Sequence, residues 1–510
     1  MAIALLFKLN CAVCGSSAVA VDDRHNIGRQ SPQRRKADFQ RLPQTCRHQG
    51  RSNRALHGTR RFRSSYPPKR QHSMATPLET PLPAGRTIKK APTGRWRRAA
   101  VFKELGPGLI TGAADDDPSG IATYSQAGAQ FGFNMLWTML LTYPLMSAVQ
   151  MVSARIGRVT GHGLASNIGA IWPKPMVLAL VFLLFVANTI NIGADLAAMG
   201  ASVELALGLP SPPTTVVLAL LSLALQLFIP YQRYARYLKW LTLVLLSYIA
   251  VLFVVRIDWL AALKGFIVPS FPWNADSLTV IVAVFGTTIS PYLFFWQSSQ
   301  EVEEIEEKDG AKPLKVAPQQ APGELRRVRL DTFAGMAFSN VVAVAIMMSA
   351  AATLHASGKS EIGTAADVAE ALKPIAGDMA FALFSIGIIG TGLLAIPVLA
   401  GSVAYAFGES QGWKCGLEHK PWEATGFYTV ITAATLMGLA IEFSHIDPIK
   451  ALFWSAVVNG FVAVPVMAAM MIVVGRRDRM KEFTASKPVL FFGWAATAIM
   501  AAAVVAMLLI

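Results

Sequence analysis

Charge is scarce in this chain: Asp, Glu, Lys and Arg make up 15% of its 510 residues, against 53% hydrophobic. A soluble chain of this length needs far more charge to cover its surface, so a water-soluble globular protein is excluded. Cysteine is scarcer still, with four: Cys11, Cys14, Cys46 and Cys415. Cys11 and Cys14 form one CxxC pair, but a zinc site needs a second pair at suitable spacing, and no structural disulfide is expected. Alternation of polar and apolar residues is also lacking, which excludes a strand-built barrel. What is present is a series of continuous apolar runs, each near the ~20 residues a helix needs to cross a bilayer. The fold class expected is therefore all-α and integral to the membrane.

The runs fall at 106–128, 134–156, 176–204, 213–230, 238–256, 277–297, 331–354, 379–406, 424–442, 449–474 and 488–509, which predicts eleven transmembrane helices. Basic residues sort by side. If the amino terminus is cytoplasmic, the inner loops hold Arg155, Arg158, Lys174, Arg233, Arg236, Lys239, Lys308, Lys312, Lys315, Arg326, Arg327, Arg329, Lys414, Lys420, Arg476, Arg477, Arg479, Lys481 and Lys487. The outer loops hold Arg256, Lys264, Lys359, Lys373 and Lys450. That bias follows the positive-inside rule. It predicts a multi-pass protein of the inner or plasma membrane, amino terminus cytoplasmic and carboxy terminus outside.

Ahead of the membrane domain, taken as 104–510, lies a basic tail, 1–103, rich in Arg and Lys ("SPQRRKADFQR", "HGTRRFRSSYPPKRQ") and without apolar periodicity. It reads as largely disordered. A nucleic-acid arm would want a folded module beside it, and none is evident, so no nucleic-acid partner is expected. Contact with anionic lipid suits the tail better, and Met74 offers an alternative start. The polar stretch Gln297–Arg329 reads as a flexible cytoplasmic loop. Its acidic start, Glu301, Glu303, Glu304, Glu306 and Glu307, either draws cations to an inner mouth or is a solvated helix end.

Two runs are interrupted. The first breaks at "DDDPSG", where Pro118 removes a backbone donor and Gly120 loosens the chain; the sixth breaks at "GTTISPY", with Gly286 and Pro291. Paired interruptions five helices apart point to an inverted-repeat transporter with its site at mid-membrane. Unwound backbone in hydrocarbon is costly unless it lines a cavity or binds something. A carboxylate beside free carbonyl oxygens favours a cation, and an intramembrane carboxylate is a functional candidate by default.

The segment "GPGLITGAADDDPSGIATYSQAGAQFGFNMLW" resembles the first helix of the Nramp family of divalent-metal transporters, which carries a DPGN motif followed by QAGAQFG. "YQRYARYLKW", "GTTISPYLFFWQSS", "DTFAGMAFSN" and "IAGDMAFALFSIGIIGTG" follow in the family's order, so the resemblance covers about residues 100–510. It implies a LeuT-like fold of 5+5 inverted repeats with broken helices one and six and one extra helix. It also implies divalent metal as substrate, no permanently bound cofactor and no enzymatic activity.

The departures from the family carry information. Asp117 matches the family's aspartate, but its asparagine is Gly120 here. Ser290 stands for the family's methionine and Tyr292 for its histidine, which is associated with proton movement. Asp195 remains in the third helix, where Ala198 replaces a glutamate; Ala456 matches a glutamine, with Asn459 about one turn on. Loss of a sulfur donor disfavours soft metals, and a wider oxygen-only site suits Mg2+ that keeps part of its hydration, as in the Nramp-related magnesium transporters. Loss of the histidine and glutamate weakens the case for proton coupling.

The resemblance implies a ligand set of Asp117, the carbonyls of Ala114 and Thr287, and Ser290 directly or through water. Asp115 and Asp116, on other helix faces, either line a vestibule or meet a cation elsewhere. Asp195 either tunes the pathway or belongs to a polar cluster, and Gly120, Tyr292 and Asn459 are further pathway candidates. Asn188 and Asn191 suggest interhelical hydrogen bonding. His162, His355, His419 and His445 are too dispersed for a metal cluster, and Trp137 and Trp172 read as interfacial anchors.

Four rival functions remain. A proton-coupled Mn2+ or Fe2+ symporter would want a soft ligand at a break, and neither break offers one. An organic-solute symporter of the same broken-helix architecture would offer its site to a carboxylate, which the aspartates would repel. An intramembrane aspartyl protease would want two aspartates on separate helices. A cation channel is the fourth, since broken helices also line pores. Oligomeric state is not legible.

Overall fold

The computed structural model describes residues 107–230, 241–444 and 447–510. The expected basic tail, with Met74 and the CxxC pair, lies outside the described residues. So do the basic loop holding Arg233, Arg236 and Lys239, and His445. Every described element is helical. Among the described residues, eight helical stretches are long and apolar enough to cross a membrane, and each of the eleven apolar runs contains helix.

The first run is two helices, α1 (Pro107–Asp115) and α2 (Pro118–Phe131). Then follow α3 (Leu136–Thr160), α4 (Lys174–Leu207), α5 (Ser211–Phe228) and α6 (Leu246–Val254). The sixth run is again split, into α7 (Ala275–Thr288) and α8 (Pro291–Glu307). The remainder is α9 (Ala321–Ala350), α10 (Ala380–Gln411), α11 (Thr425–Ile441), α12 (Pro448–Gly475) and α13 (Lys487–Leu509).

The broken helices sit at the centre and α5 and α13 at the rim. Apolar side chains such as Phe182, Phe228, Phe253 and Phe491 point outward and are mostly exposed, as expected of a surface that meets lipid tails. Between helices in lipid, packing rests on small residues that let backbones approach. Gly112 of α1 lies so close to Gly335 of α9 that a Cβ would fall 2.3 Å from the Gly335 carbonyl oxygen. Gly286 of α7 meets α12 likewise, with a Cβ position 2.1 Å from the Ala456 carbonyl oxygen and 2.5 Å from the Gly460 nitrogen. Both severed helices are thereby pinned through their first halves.

Two sequence expectations need correction. Gln297–Arg329 is not a flexible loop: α8 runs to Glu307, and α9 starts at Ala321, before the apolar run begins. The cause is an ion network that the sequence spreads over three segments. Arg327 contacts Glu301 at 2.5 Å, Glu304 at 2.9 Å and Glu324 at 3.0 Å, while Arg158 of α3 reaches Glu324 at 3.0 Å. Gln297 accepts from Gln150 at 2.6 Å and donates to Thr332 at 3.2 Å. The acidic start is accordingly no solvated helix end at Glu301 and Glu303, which are buried. Trp137, expected as an interfacial anchor, is half-buried at the start of α3. Its ring stacks on Phe271 at 5.6 Å and meets Phe285 edge-on at 6.4 Å, with a buried indole nitrogen.

Candidate metal site

Proline placement builds the site. In an α-helix the carbonyl of residue i accepts from the N–H of i+4. Four residues after Ala114 stands Pro118, and four after Thr287 stands Pro291. Proline has no N–H, so both carbonyls lose their helical donor. Each break also ends one helix and starts another. The carbonyl-rich ends of α1 and α7 carry partial negative charge, while the amino-terminal ends of α2 and α8 carry partial positive charge.

Asp117 caps α2. Its Oδ1 accepts from the Gly120 N–H at 2.8 Å and the Ser119 hydroxyl at 2.7 Å. Its Oδ2 accepts from Asn191 Nδ2 of α4 at 3.0 Å and from the Tyr292 hydroxyl of α8 at 3.4 Å. The Tyr292 hydroxyl also lies 3.3 Å from the freed Ala114 carbonyl, which it shares as an acceptor with Asp117. At the second break the Ser290 hydroxyl donates to the freed Thr287 carbonyl at 2.7 Å, with the Gly286 carbonyl at 3.0 Å. Tyr124 of α2 and Thr288 of α7 join the breaks through their hydroxyls at 3.2 Å. Gly120 faces the same space: a Cβ there would sit 3.4 Å from Thr287 Oγ1 and 3.5 Å from the Asp115 carbonyl oxygen.

All of this is closed to solvent, Asp117 being 1% exposed. A hydrogen bond to a charged group contributes roughly 1.5–3 kcal/mol, so the donors around Asp117 offset part of the cost of burying its carboxylate. Its Oδ2 partners are side chains from other helices, whereas its Oδ1 partners belong to its own turn. The Oδ2 contacts can therefore be exchanged without unwinding α2, whereas the Oδ1 contacts cannot.

The structure thus brings Asp117, Ala114, Thr287, Ser290, Gly120 and Tyr292 together. Asp115 and Asp116 turn elsewhere: Ser339 of α9 donates to Asp115 Oδ2 at 2.6 Å and lies 3.2 Å from Asp116 Oδ1. Asp195 is buried on α4, and neither of its oxygens has a hydrogen-bond partner among the described residues. Asn459 is buried on α12 with both amide atoms likewise unpartnered there, so no hydrogen bond ties it to Asp117. Asn188 donates to the Leu399 carbonyl and to Ser402, both at 2.9 Å, as interhelical bonding predicts. Asn191 does more than that expectation allowed, because one of its partners is Asp117 itself. The missed signal was spacing: Asn188, Asn191 and Asp195 fall on one stripe of α4.

A second polar cavity, of about 360 Å3, lies at the far end of α8 and is lined in part by Gly163, Glu303, Glu306, Glu409 and His419. Two of its carboxylates are internally satisfied. Glu303 accepts from Tyr405, from Leu417 N–H at 2.7 Å and from Gln300 at 3.0 Å; Glu409 accepts from Ser299 at 2.6 Å and Ala165 N–H at 3.0 Å. Among the described residues no group of three or more His, Cys, Asp or Glu could hold a metal ion. The helix breaks therefore offer one carboxylate, Asp117, beside carbonyl and hydroxyl oxygens.

The family profile described as "Natural resistance-associated macrophage protein-like" (Nramp) matches residues 108–510. A curated relative, the divalent metal cation transporter MntH of Chromohalobacter salexigens, is 29% identical over 318 residues, covering 61% of this chain and 70% of the relative. MntH of Aeromonas hydrophila is 30% identical over 312 residues, 59% of this chain and 72% of the relative. Among solved structures, the Eremococcus coleocola manganese transporter superposes with a TM-score of 0.62 at 17% identity, covering 83% of this chain and 88% of that one. Mhp1, a nucleobase-cation-symport-1 family transporter, superposes with a TM-score of 0.50 at 11% identity over 78% of this chain and 91% of that one. These likenesses identify the fold as the LeuT-like, broken-helix architecture.

Proposed function

Since the chain belongs to the natural resistance-associated macrophage protein-like (Nramp) family, we propose that it carries divalent metal cations across the membrane by alternating access, with partly hydrated Mg2+ as preferred substrate. The amino terminus is cytoplasmic and the carboxy terminus outside. Asp117 supplies the charge, the carbonyls of Ala114 and Thr287 supply neutral oxygen, and Ser290 contacts the ion or its water.

The observation that carries this reading is the donor set. Two carbonyls stripped of their helical donors by proline flank one carboxylate, and every contact between these groups is through nitrogen or oxygen. Hard oxygen ligands suit Mg2+, which gives up its water reluctantly. Glycine at position 120 keeps any side chain out of the gap between α2 and α7, where a Cβ would already lie 3.4 Å from Thr287 Oγ1. Tyr292, in place of an imidazole, supplies no group that titrates near neutral pH, so metal flux proceeds without obligatory proton flux.

The test is uptake into proteoliposomes, comparing Mg2+ with Mn2+ while internal pH is followed. Saturable Mg2+ entry without acidification is expected. Acidification in step with the metal overturns the uncoupled reading, and flux that does not saturate replaces the carrier with a channel.

One observation favours Mn2+ as the principal substrate. A buried sulfur, Met199, lies near Pro118, both touching the Cβ position of Gly392, and the solved neighbour from Eremococcus coleocola is a manganese transporter. If Met199 serves the ion, Met199→Leu lowers the Mn2+/Mg2+ ratio; in the Mg2+ reading that ratio stays put.

A further inference from the structure

We infer that Asn191 is a ligand of the transported cation, and that its amide turns over when the cation binds. The inference rests on Asp117 as the charged ligand and adds a third element, α4, to the two broken helices.

Asn191 is fully buried. Its Nδ2 donates to Asp117 Oδ2 at 3.0 Å, while its Oδ1 accepts from the Ser455 hydroxyl of α12 at 2.6 Å. In this orientation the amide presents N–H to the carboxylate oxygen that a cation would take, and an N–H repels a cation. The other end of the same amide is an oxygen of nearly the same size. A half-turn of the amide places that oxygen beside Asp117, facing the ion.

Ser455 makes the half-turn inexpensive. Its hydroxyl lies 2.6 Å from Asn191 Oδ1 and 2.7 Å from the Leu452 carbonyl. In the first arrangement the Ser455 hydrogen goes to Asn191 Oδ1 and Asn191 Nδ2–H goes to Asp117. In the second the Ser455 hydrogen goes to the Leu452 carbonyl, Asn191 Nδ2–H goes to Ser455 Oγ, and Asn191 Oδ1 goes to the cation. Neither arrangement orphans these buried polar atoms, the condition under which exchanging hydrogen bonds costs little. Asn188, one turn earlier, shows what a locked amide looks like. Its Nδ2 faces the Leu399 carbonyl at 2.9 Å, and a backbone carbonyl only accepts, so that amide has a single orientation.

Asn191 is thus a hydrogen-bond donor to Asp117 in one state and a hard oxygen ligand in the other. The test uses the full chain in detergent and isothermal titration with Mg2+ and Cd2+, on Asn191→Leu, Asn191→Met and Asp117→Asn. Asn191→Leu is expected to melt within a few degrees of the wild type in cation-free buffer yet bind Mg2+ at least tenfold more weakly. Asn191→Met is expected to raise Cd2+ affinity relative to Mg2+ at least tenfold, because a thioether is soft; a purely structural role leaves that ratio unmoved. Wild-type Mg2+ affinity in Asn191→Leu, with an unchanged ratio in Asn191→Met while Asp117→Asn abolishes binding, overturns this inference alone. Unaltered binding in Asp117→Asn overturns the underlying reading and this inference together. If Asn191→Leu does not fold, Asn191→Met and Ser455→Ala decide. Ser455→Ala, which removes the acceptor for the turned amide, is expected to weaken Mg2+ several-fold without changing the ratio, and wild-type affinity there overturns the inference.

Discussion

Replacing Arg327 with methionine tests whether the ion network, rather than loop sequence, fixes the junction between α8 and α9. Arg327 is bonded to three carboxylates, Glu301, Glu304 and Glu324, and Glu301 is 0% exposed. Without Arg327, Glu324 retains Arg158 at 3.0 Å and Lys308 at 3.6 Å, but no other ion pair reaches Glu301 among the described residues. Removing one partner of a buried pair costs about 3–5 kcal/mol, because the remaining charge is left uncompensated. The partial exposure of Arg327 and Glu304 admits water and places the expectation at the lower end. The penalty belongs to the stranded charge and not to lost attraction, so Glu301→Gln in the same chain should recover most of it. The assay is a thermal melt of the purified protein in detergent, run as a double-mutant cycle across Arg327→Met and Glu301→Gln. A single Arg327→Met variant within about 1 kcal/mol of wild type, the range of surface pairs, would refute the reasoning. So would a double variant as unstable as the Arg327→Met single variant.

Four further outcomes follow from the same geometry. Gly120→Asn, whose side chain enters the space beside Thr287 Oγ1, should narrow the site and lower the Mg2+/Mn2+ transport ratio. Ser290→Met should raise the preference for Cd2+ or Mn2+; unchanged selectivity would mean that residue 290 does not face the ion. Pro118→Ala and Pro291→Ala each restore an N–H for the carbonyls of Ala114 and Thr287, so cation affinity should fall about tenfold or more without loss of thermal stability, read by titration and melting. Between α9 and α10, burial opposes ionisation of Asp367, but bonds from Thr364, Lys359 and Gly363 hold its carboxyl below its usual range, and Lys359 and Lys373 do the same for Glu370. A depressed carboxylate stabilises the fold above its ordinary pKa and loses that contribution as pH falls through the lowered value, so melting temperature should drop below about pH 4, and Lys359→Met should flatten the drop.

The helices were legible because each spanning run is apolar for longer than any soluble helix needs, and a split run announces itself through proline. The two freed carbonyls were legible too, since proline four residues after Ala114 and Thr287 dictates them from the sequence alone. Other features were hidden because they depend on which helix meets which. Nothing in "KPLKVAPQQAPGELRRVR" tells that Arg327 will close on Glu301, so a stretch rich in charge and proline read as loop although folding turns much of it into helix. Trp137 sits where an interfacial tryptophan would, and its ring contacts with Phe271 and Phe285 are equally unreadable from sequence. Asn191 carries no motif; its significance arises when α4 crosses the first break and α12 brings Ser455 to its other side.

The two breaks differ in a way that suggests a division of labour. Both expose a carbonyl, and in hydrocarbon a bare carbonyl costs several kcal/mol, so each is covered. At the second break the cover is local: Ser290, three residues on, donates to Thr287 at 2.7 Å. At the first the cover comes from across the site, Tyr292 of α8 reaching Ala114 at 3.3 Å and Asp117 at 3.4 Å. Short local bonds survive relative movement of helices, while long bonds between helices do not. The Thr287 side can therefore stay organised as α2 and α8 shift, whereas the Ala114 and Asp117 side loses Tyr292 and gains room for an ion. On the proposed reading, binding on the Asp117 side and helix movement are coupled, because one of the two contacts at Asp117 Oδ2 that a cation would replace, Tyr292, also joins the two severed helices.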